Sequence, residues 1–122
     1  MSFERLAELL FPDVERDADD YERLYPERKL PEGAKVTRIA PSPTGFIHLG
    51  NLYGALTDER LAHQSGGIFF LRIEDTDAKR EVANGAEMIR ACLRSFGLVF
   101  DEGALEGGDR GAYGPYRQRE RA

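Results

Sequence analysis

The sequence predicts an α/β protein, the first half of a doubly wound parallel sheet preceded by a short helical extension. Three observations carry this. From Val36 onward the apolar pattern alternates between strand and helix. A stiff turn, Pro41-Ser42-Pro43-Thr44-Gly45, runs from the first strand into a helix. An acidic segment, Glu74-Asp75-Thr76-Asp77, follows the second strand. Strands alternating with helices imply right-handed crossovers and a parallel sheet. Ligands of such sheets sit beyond the carboxyl ends of the strands, where both odd segments fall.

The elements follow in order. Phe3, Leu6, Leu9 and Leu10 recur at helical spacing until Pro12-Asp13 stops them, and Asp17 to Tyr25 makes a second short helix. Pro26, Pro31 and Gly33 form a linker, so residues 1–34 read as an extension that packs on the body or on something else. Residues 35–122 read as one mononucleotide-binding half of the doubly wound fold. Val36 to Ala40 is a short strand ended by Pro41, with Arg38 inside an otherwise apolar, buried run. A helix from Leu49 to Gln64 presents Leu49, Leu52, Tyr53 and Leu56 on one face and ends at Gly66-Gly67. Ile68 to Ile73 is nearly all apolar, as for a strand covered on both faces. Val82, Ala86, Ile89, Leu93 and Phe96 step by four and three along a second long helix, and Gly97 stops it. Leu98-Val99-Phe100 reads as a third strand. From Asp101 the glycine-rich chain turns loop-like until a helix begins at Arg117, as in a larger protein cut short.

Composition narrows the function. A net charge of −5 argues against a protein that coats nucleic acid, although a local patch could still bind it. One cysteine, Cys92, permits neither an internal disulfide nor a multi-cysteine zinc site. The charged start lacks the apolar core of a signal peptide, and no apolar run reaches the ~18 residues of a membrane span. A soluble cytoplasmic protein with no membrane partner is expected.

His48 stands where the turn enters the helix, with Gly50 two residues on. An imidazole and free backbone N–H groups at a positively polarised helix end suit a nucleotide's phosphates, and Gly50 lets a flat base approach the backbone. The plainer reading is a capping histidine. A buried Arg38 needs an anion, either a structural carboxylate (Glu74 or Asp75) or a substrate carboxylate matched to its planar guanidinium. Glu74 could in turn receive a substrate ammonium, so the pair suits an amino acid. Asp75-Thr76-Asp77 could hold Mg²⁺ beside phosphates, but turn and helix capping is the favoured reading, and no metal ligands are assigned. His63 reads as a partner of the helix C-terminal dipole.

The string V-T-R-I-A-P-S-P-T-G-F-I-H-L-G-N, then F-L-R-I-E-D-T-D and G-P-Y-R-Q-R-E-R, closely resembles bacterial glutamyl-tRNA synthetases, class I enzymes with a Rossmann-type catalytic domain. The resemblance spans Lys35 to Arg121, the first quarter or so of a typical member, and the leader L-L-F-P-D-V resembles an extension that some members carry. It implies that His48-Leu49-Gly50-Asn51 is the signature that binds ATP and stabilises the adenylation transition state, with His48 and Asn51 as catalytic residues and Asn51 replacing its second histidine. It implies that Arg38, Ala40, Ser42 and Glu74 contact glutamate. The activity implied is ATP-dependent formation of glutamyl-adenylate and transfer to tRNA(Glu), with Mg²⁺ accompanying ATP and no tightly bound cofactor.

The Lys-Met-Ser-Lys-Ser-type loop and the tRNA-binding domains of such enzymes are not in this stretch. A fragment inactive by itself and prone to self-associate through exposed apolar surface is therefore expected. Two other readings share the half-domain: a shortened relative that glutamylates a modified base of tRNA(Asp), and a non-catalytic nucleotide-binding fragment. A nucleotidylyltransferase with an H-x-G-H signature would not need Arg38 and Glu74.

Overall fold

The computed structural model describes residues 2–121. Among them, helices α1 (Phe3–Leu10) and α2 (Ala18–Leu24) precede β1 (Val36–Ile39), α3 (Leu49–Gln64), β2 (Ile68–Leu71), α4 (Gly85–Ser95), β3 (Glu102–Leu105) and β4 (Gly108–Arg110). The sheet order is β1-β2-β3-β4. β1 and β2 run parallel with Val36 opposite Ile68, β2 and β3 run parallel with Phe70 opposite Glu102, and β4 returns antiparallel. The α/β class and the parallel crossovers are as expected.

Local chemistry explains the boundaries. Ser2 caps α1 through its side chain, and Asp17 caps α2 in a reciprocal box with Asp20. Gly66 and Gly97, both at positive φ, end α3 and α4. The core gathers Phe69, Leu71 and Ile73 from β2 and its continuation, Ile89 and Leu93 from α4, and Ala55 and Ala62 from α3.

Five expectations need correction. The buried face of α3 is Ala55, Glu59 and Ala62, whereas Leu49 and Tyr53 stand outward at 81% and 73% exposure and Leu56 is exposed too. Small side chains let α3 lie close over β1 and β2, and of the expected face only Leu52, partly buried, packs against the core. The short helix α4 starts at Gly85, because Asn84 is left-handed and Val82 donates its N–H to Pro43 O at 2.8 Å. Leu98-Val99-Phe100 is not a strand. Leu98 is buried and Phe100 stacks on Phe69 at 4.8 Å, and pairing starts only after Asp101, whose N–H donates to Phe69 O at 2.9 Å. The expected loop after Asp101 is instead the β3–β4 hairpin, which ends the sheet in an antiparallel edge. β1 forms the other edge, so it is not buried: Val36 is 44% exposed and Arg38 is exposed as well.

The extension behaves in two ways. Every residue of α1 is exposed. Tyr25 to Arg28, by contrast, is tied to the far end of the chain, with Tyr25 Oη donating to Gly114 O at 3.1 Å and Tyr113 Oη to Pro26 O at 2.7 Å. A short 3₁₀ turn, Gln118–Glu120, stands where a helix was expected to begin.

Candidate active site

The carboxyl ends of β1 and β2 point the same way because the strands are parallel. After β1 the chain enters the double-proline turn. Pro43 is fully buried and its carbonyl is gripped by Val82, and a Cβ on Gly85 would stand 2.7 Å from that oxygen. The turn is therefore bolted to the start of α4, and two prolines fix its φ angles.

The turn delivers His48 to the N-cap of α3 in extended conformation. The first intrahelical bond there is Leu52 N–H to His48 O at 3.1 Å, so the amides of Leu49, Gly50 and Asn51 have no carbonyl of an earlier turn to bond. The first turn carries no acidic residue, which leaves its positive partial charge for an anion. Asn51 accepts the His48 N–H with Oδ1 at 3.3 Å. Its amide nitrogen is thus the group turned to other partners, and asparagine in place of histidine gains a cap while still offering a donor.

Two clefts flank this helix end. One, of about 470 Å³, is lined by Ala40, Ser42, the turn from Thr44 to His48, and Asn51, with Ile89 as its floor. The other, of about 290 Å³, is lined by Arg38, Ala40, Gly50, Asn51, Gly54 and Asp58. They adjoin across Ala40, Pro41 and Asn51.

Glu74 lines neither cleft, but it lies beside the second: Arg38 Nη1 is 3.8 Å from Glu74 Oε1. Of the two carboxylates considered for Arg38, Glu74 is the nearer partner, in a loose pair rather than a hydrogen bond. The firmer partner of Glu74 is Arg72, whose Nε donates to Oε1 at 2.7 Å. The structure thus brings together Arg38, Ala40, Gly50, Asn51 and Glu74, and sets Ser42 and His48 on the other side of Asn51. Sequence reasoning passed over Arg72 as a site residue. The available signal was a charge within an apolar run, two residues before Glu74.

The D-x-D pair splits in use. Asp77 caps a turn, accepting Arg80 N–H at 3.3 Å and Arg80 Nε at 2.6 Å. Buried Asp75 does not cap locally. It accepts Arg119 N–H at 2.9 Å through Oδ1 and faces Arg117 Nη1 at 3.6 Å through Oδ2. Among the described residues no three His, Cys, Asp or Glu side chains gather as a metal would need. His63 is more than a dipole partner: Nδ1 lies 3.0 Å from Glu59 Oε1 and Nε2 lies 2.9 Å from Asp101 Oδ2. Its hydrogen bond to Asp101 leads the effects that raise its pKa above the usual histidine value.

Comparison with known proteins follows the same outline. Residues 35–122 match the family model of tRNA synthetases class I (E and Q), catalytic domain. A glutamate–tRNA ligase of Acetivibrio thermocellus is 58% identical over all of this chain, which spans 22% of that protein. A glutamate-tRNA synthetase structure from Elizabethkingia anophelis superposes with a TM-score of 0.65 at 48% identity, over 72% of this chain and 17% of the other. A glutamate tRNA ligase from Elizabethkingia meningosepticum, described as in complex with its amino acid, gives a TM-score of 0.64 at 49% identity over 74% and 17%.

Proposed function

The chain belongs to the class I tRNA synthetases (E and Q) by their catalytic domain, and we propose that it forms the glutamate- and ATP-binding half of a glutamate–tRNA ligase. The observation that carries this is the meeting of Arg38 and Glu74 beside an uncompensated helix N-terminus, at the shared carboxyl edge of β1 and β2. We read residues 1–34 as an extension and 35–122 as the half-domain, a division supported by a family match that starts at residue 35.

Each side chain has a role that its placement supports. Arg38 holds a glutamate carboxylate and Glu74 the ammonium, with Ala40 and Ser42 shaping the wall between. The phosphates of ATP lie on the α3 amides, His48 and the Asn51 amide, while Gly50 leaves room for the base. Glutamate's α-carboxylate oxygen then attacks the α-phosphorus. An O–P bond forms, the bond to the bridging oxygen breaks, and its electron pair leaves on pyrophosphate. His48 and the helix amides stabilise the charge that builds on the phosphoryl oxygens. Transfer to the terminal ribose of tRNA(Glu) follows. Mg²⁺ enters with ATP, as part of the substrate. No helix among the described residues is long and apolar enough to cross a membrane. The compartment proposed is the cytoplasm, where translation runs.

The chain covers about a fifth of its curated relatives, and the lysine-rich loop expected to hold the leaving pyrophosphate is not in it. We propose that these 122 residues taken alone hold half of the site. The test is ATP–pyrophosphate exchange with glutamate and tRNA(Glu), beside equilibrium titration of the chain with glutamate. Glutamate uptake that Arg38→Ala abolishes supports the reading, and indifference to Arg38→Ala overturns it. Exchange by the chain at the rate of an intact ligase removes the half-site conclusion.

A further inference from the structure

The extension reaches the candidate site through a continuous set of hydrogen bonds. Arg28 grips Glu102 with both guanidinium ends, at 2.5 and 2.7 Å, and the two side chains are only 18% and 14% exposed. The same guanidinium lies 3.8 Å over the Tyr113 ring. Glu102 also accepts Tyr116 Oη at 2.8 Å, and that hydroxyl oxygen accepts Tyr113 N–H at 3.2 Å. A Cβ on Gly111 would stand 2.4 Å from the Tyr116 oxygen, so the knot leaves no slack there.

Tyr116 is the first residue of a stretch that pairs with the site. Ile73 N–H donates to Tyr116 O and Gln118 N–H donates back to Ile73 O, both at 2.9 Å. On the opposite side, Glu74 N–H donates to Pro41 O at 3.0 Å. The Ile73–Glu74 backbone is thus the middle ribbon of three, held between the signature turn and the Tyr116–Gln118 stretch. The Tyr116–Gln118 stretch is held laterally by the knot that Arg28 closes, beside Tyr116 N–H donating to Asp109 Oδ2 at 2.8 Å and Arg119 N–H to Asp75 Oδ1 at 2.9 Å.

We propose that Arg28 is a positioning residue: by clasping Glu102 and Tyr113 it seats Tyr116–Gln118, and through them the backbone that carries Glu74. This rests on the reading of Glu74 as the group that receives the amino acid's ammonium. The extension then acts on amino-acid binding and leaves the ATP side, built on α3, alone.

The test is amide hydrogen exchange of the 122-residue chain by NMR, comparing the native sequence with Arg28→Ala and Arg28→Lys. Lysine keeps the charge but cannot make the two-pronged bond or stack its plane on the ring. Expected is about tenfold faster exchange at Ile73 and Gln118 in both variants, with Phe70 and Leu71 unchanged. Uniform acceleration in Arg28→Lys, or none, overturns the proposal. Glutamate affinity is expected to fall about fivefold with ATP affinity unchanged, and equal loss of both overturns it too. A native chain that takes up no glutamate defeats the functional reading instead, and the amide pattern still decides the clasp.

Discussion

Gly50 has nothing within 4 Å of where a Cβ would stand, although it lies in the first turn of α3. Alanine is the better helix former there. Gly50→Ala is therefore expected to raise stability by about 0.5 kcal/mol in urea unfolding, while weakening ATP uptake measured by calorimetry. Gly67 is the opposite case, since its Cβ would stand 1.9 Å from Lys35 O, where β1 and β2 approach. Gly67→Ala should cost about 3 kcal/mol in the same unfolding experiment. If His48 has the role proposed for it, His48→Ala in a full-length ligase should slow pyrophosphate exchange by about 10²–10³-fold, the scale of losing one donor to developing charge. The turn and the N-cap position of His48 were legible because a turn's chemistry is local: proline, glycine and an N-cap announce themselves by type and order. The partners of Asp75 were not, since Arg119 lies more than forty positions away, whereas Arg72 went unread although its partner Glu74 is two residues on.

At the scale of elements, α2, α3 and β2 could be placed closely from spacing and stop signals. The face of α3 could not, because apolar periodicity points to the bulkier side chains while close packing on β1 and β2 favours Ala55 and Ala62. β3 was missed for a related reason. Its sequence, Glu-Gly-Ala-Leu, has little strand character, and its pairing follows Asp101, which hooks Phe69 with both backbone and carboxylate. Asp101 also holds His63, which joins the end of α3 to this hook. The folded histidine has a pKa raised above 6.5, by Asp101 first and by Glu59 further down. Its contribution to stability is complete below about 6.5 and is lost as pH climbs through the raised value. Urea midpoints should therefore fall from pH 6 to pH 9 in the native chain, and a His63→Gln variant should show a flatter profile. Equal slopes would refute the bridge's role.

For the molecule as a whole, β1 is an edge with an open ladder, and Phe46, Leu49 and Tyr53 stand exposed near it at 79%, 81% and 73%. An open edge beside apolar surface is a template for other chains. The isolated chain is expected to self-associate, and a clean monomer in sedimentation at high concentration would count against that. The doubly wound plan was readable because strand and helix periods alternate. The antiparallel edge and the tie between extension and hairpin were not, since neither leaves a periodic trace.

That tie has a consequence in time. Arg28 and Glu102 are 74 positions apart, and Tyr25 and Gly114 are 89 apart, so the contact encloses most of the chain. Loop closure of that span is favourable only after the sheet between has formed. The clasp should thus be absent from the folding transition state and present only after it. Arg28→Ala is expected to leave the refolding arm of a chevron plot in place and to lift the unfolding arm. The extension then works as a latch on the exit from the native state, lengthening its lifetime without hastening its arrival.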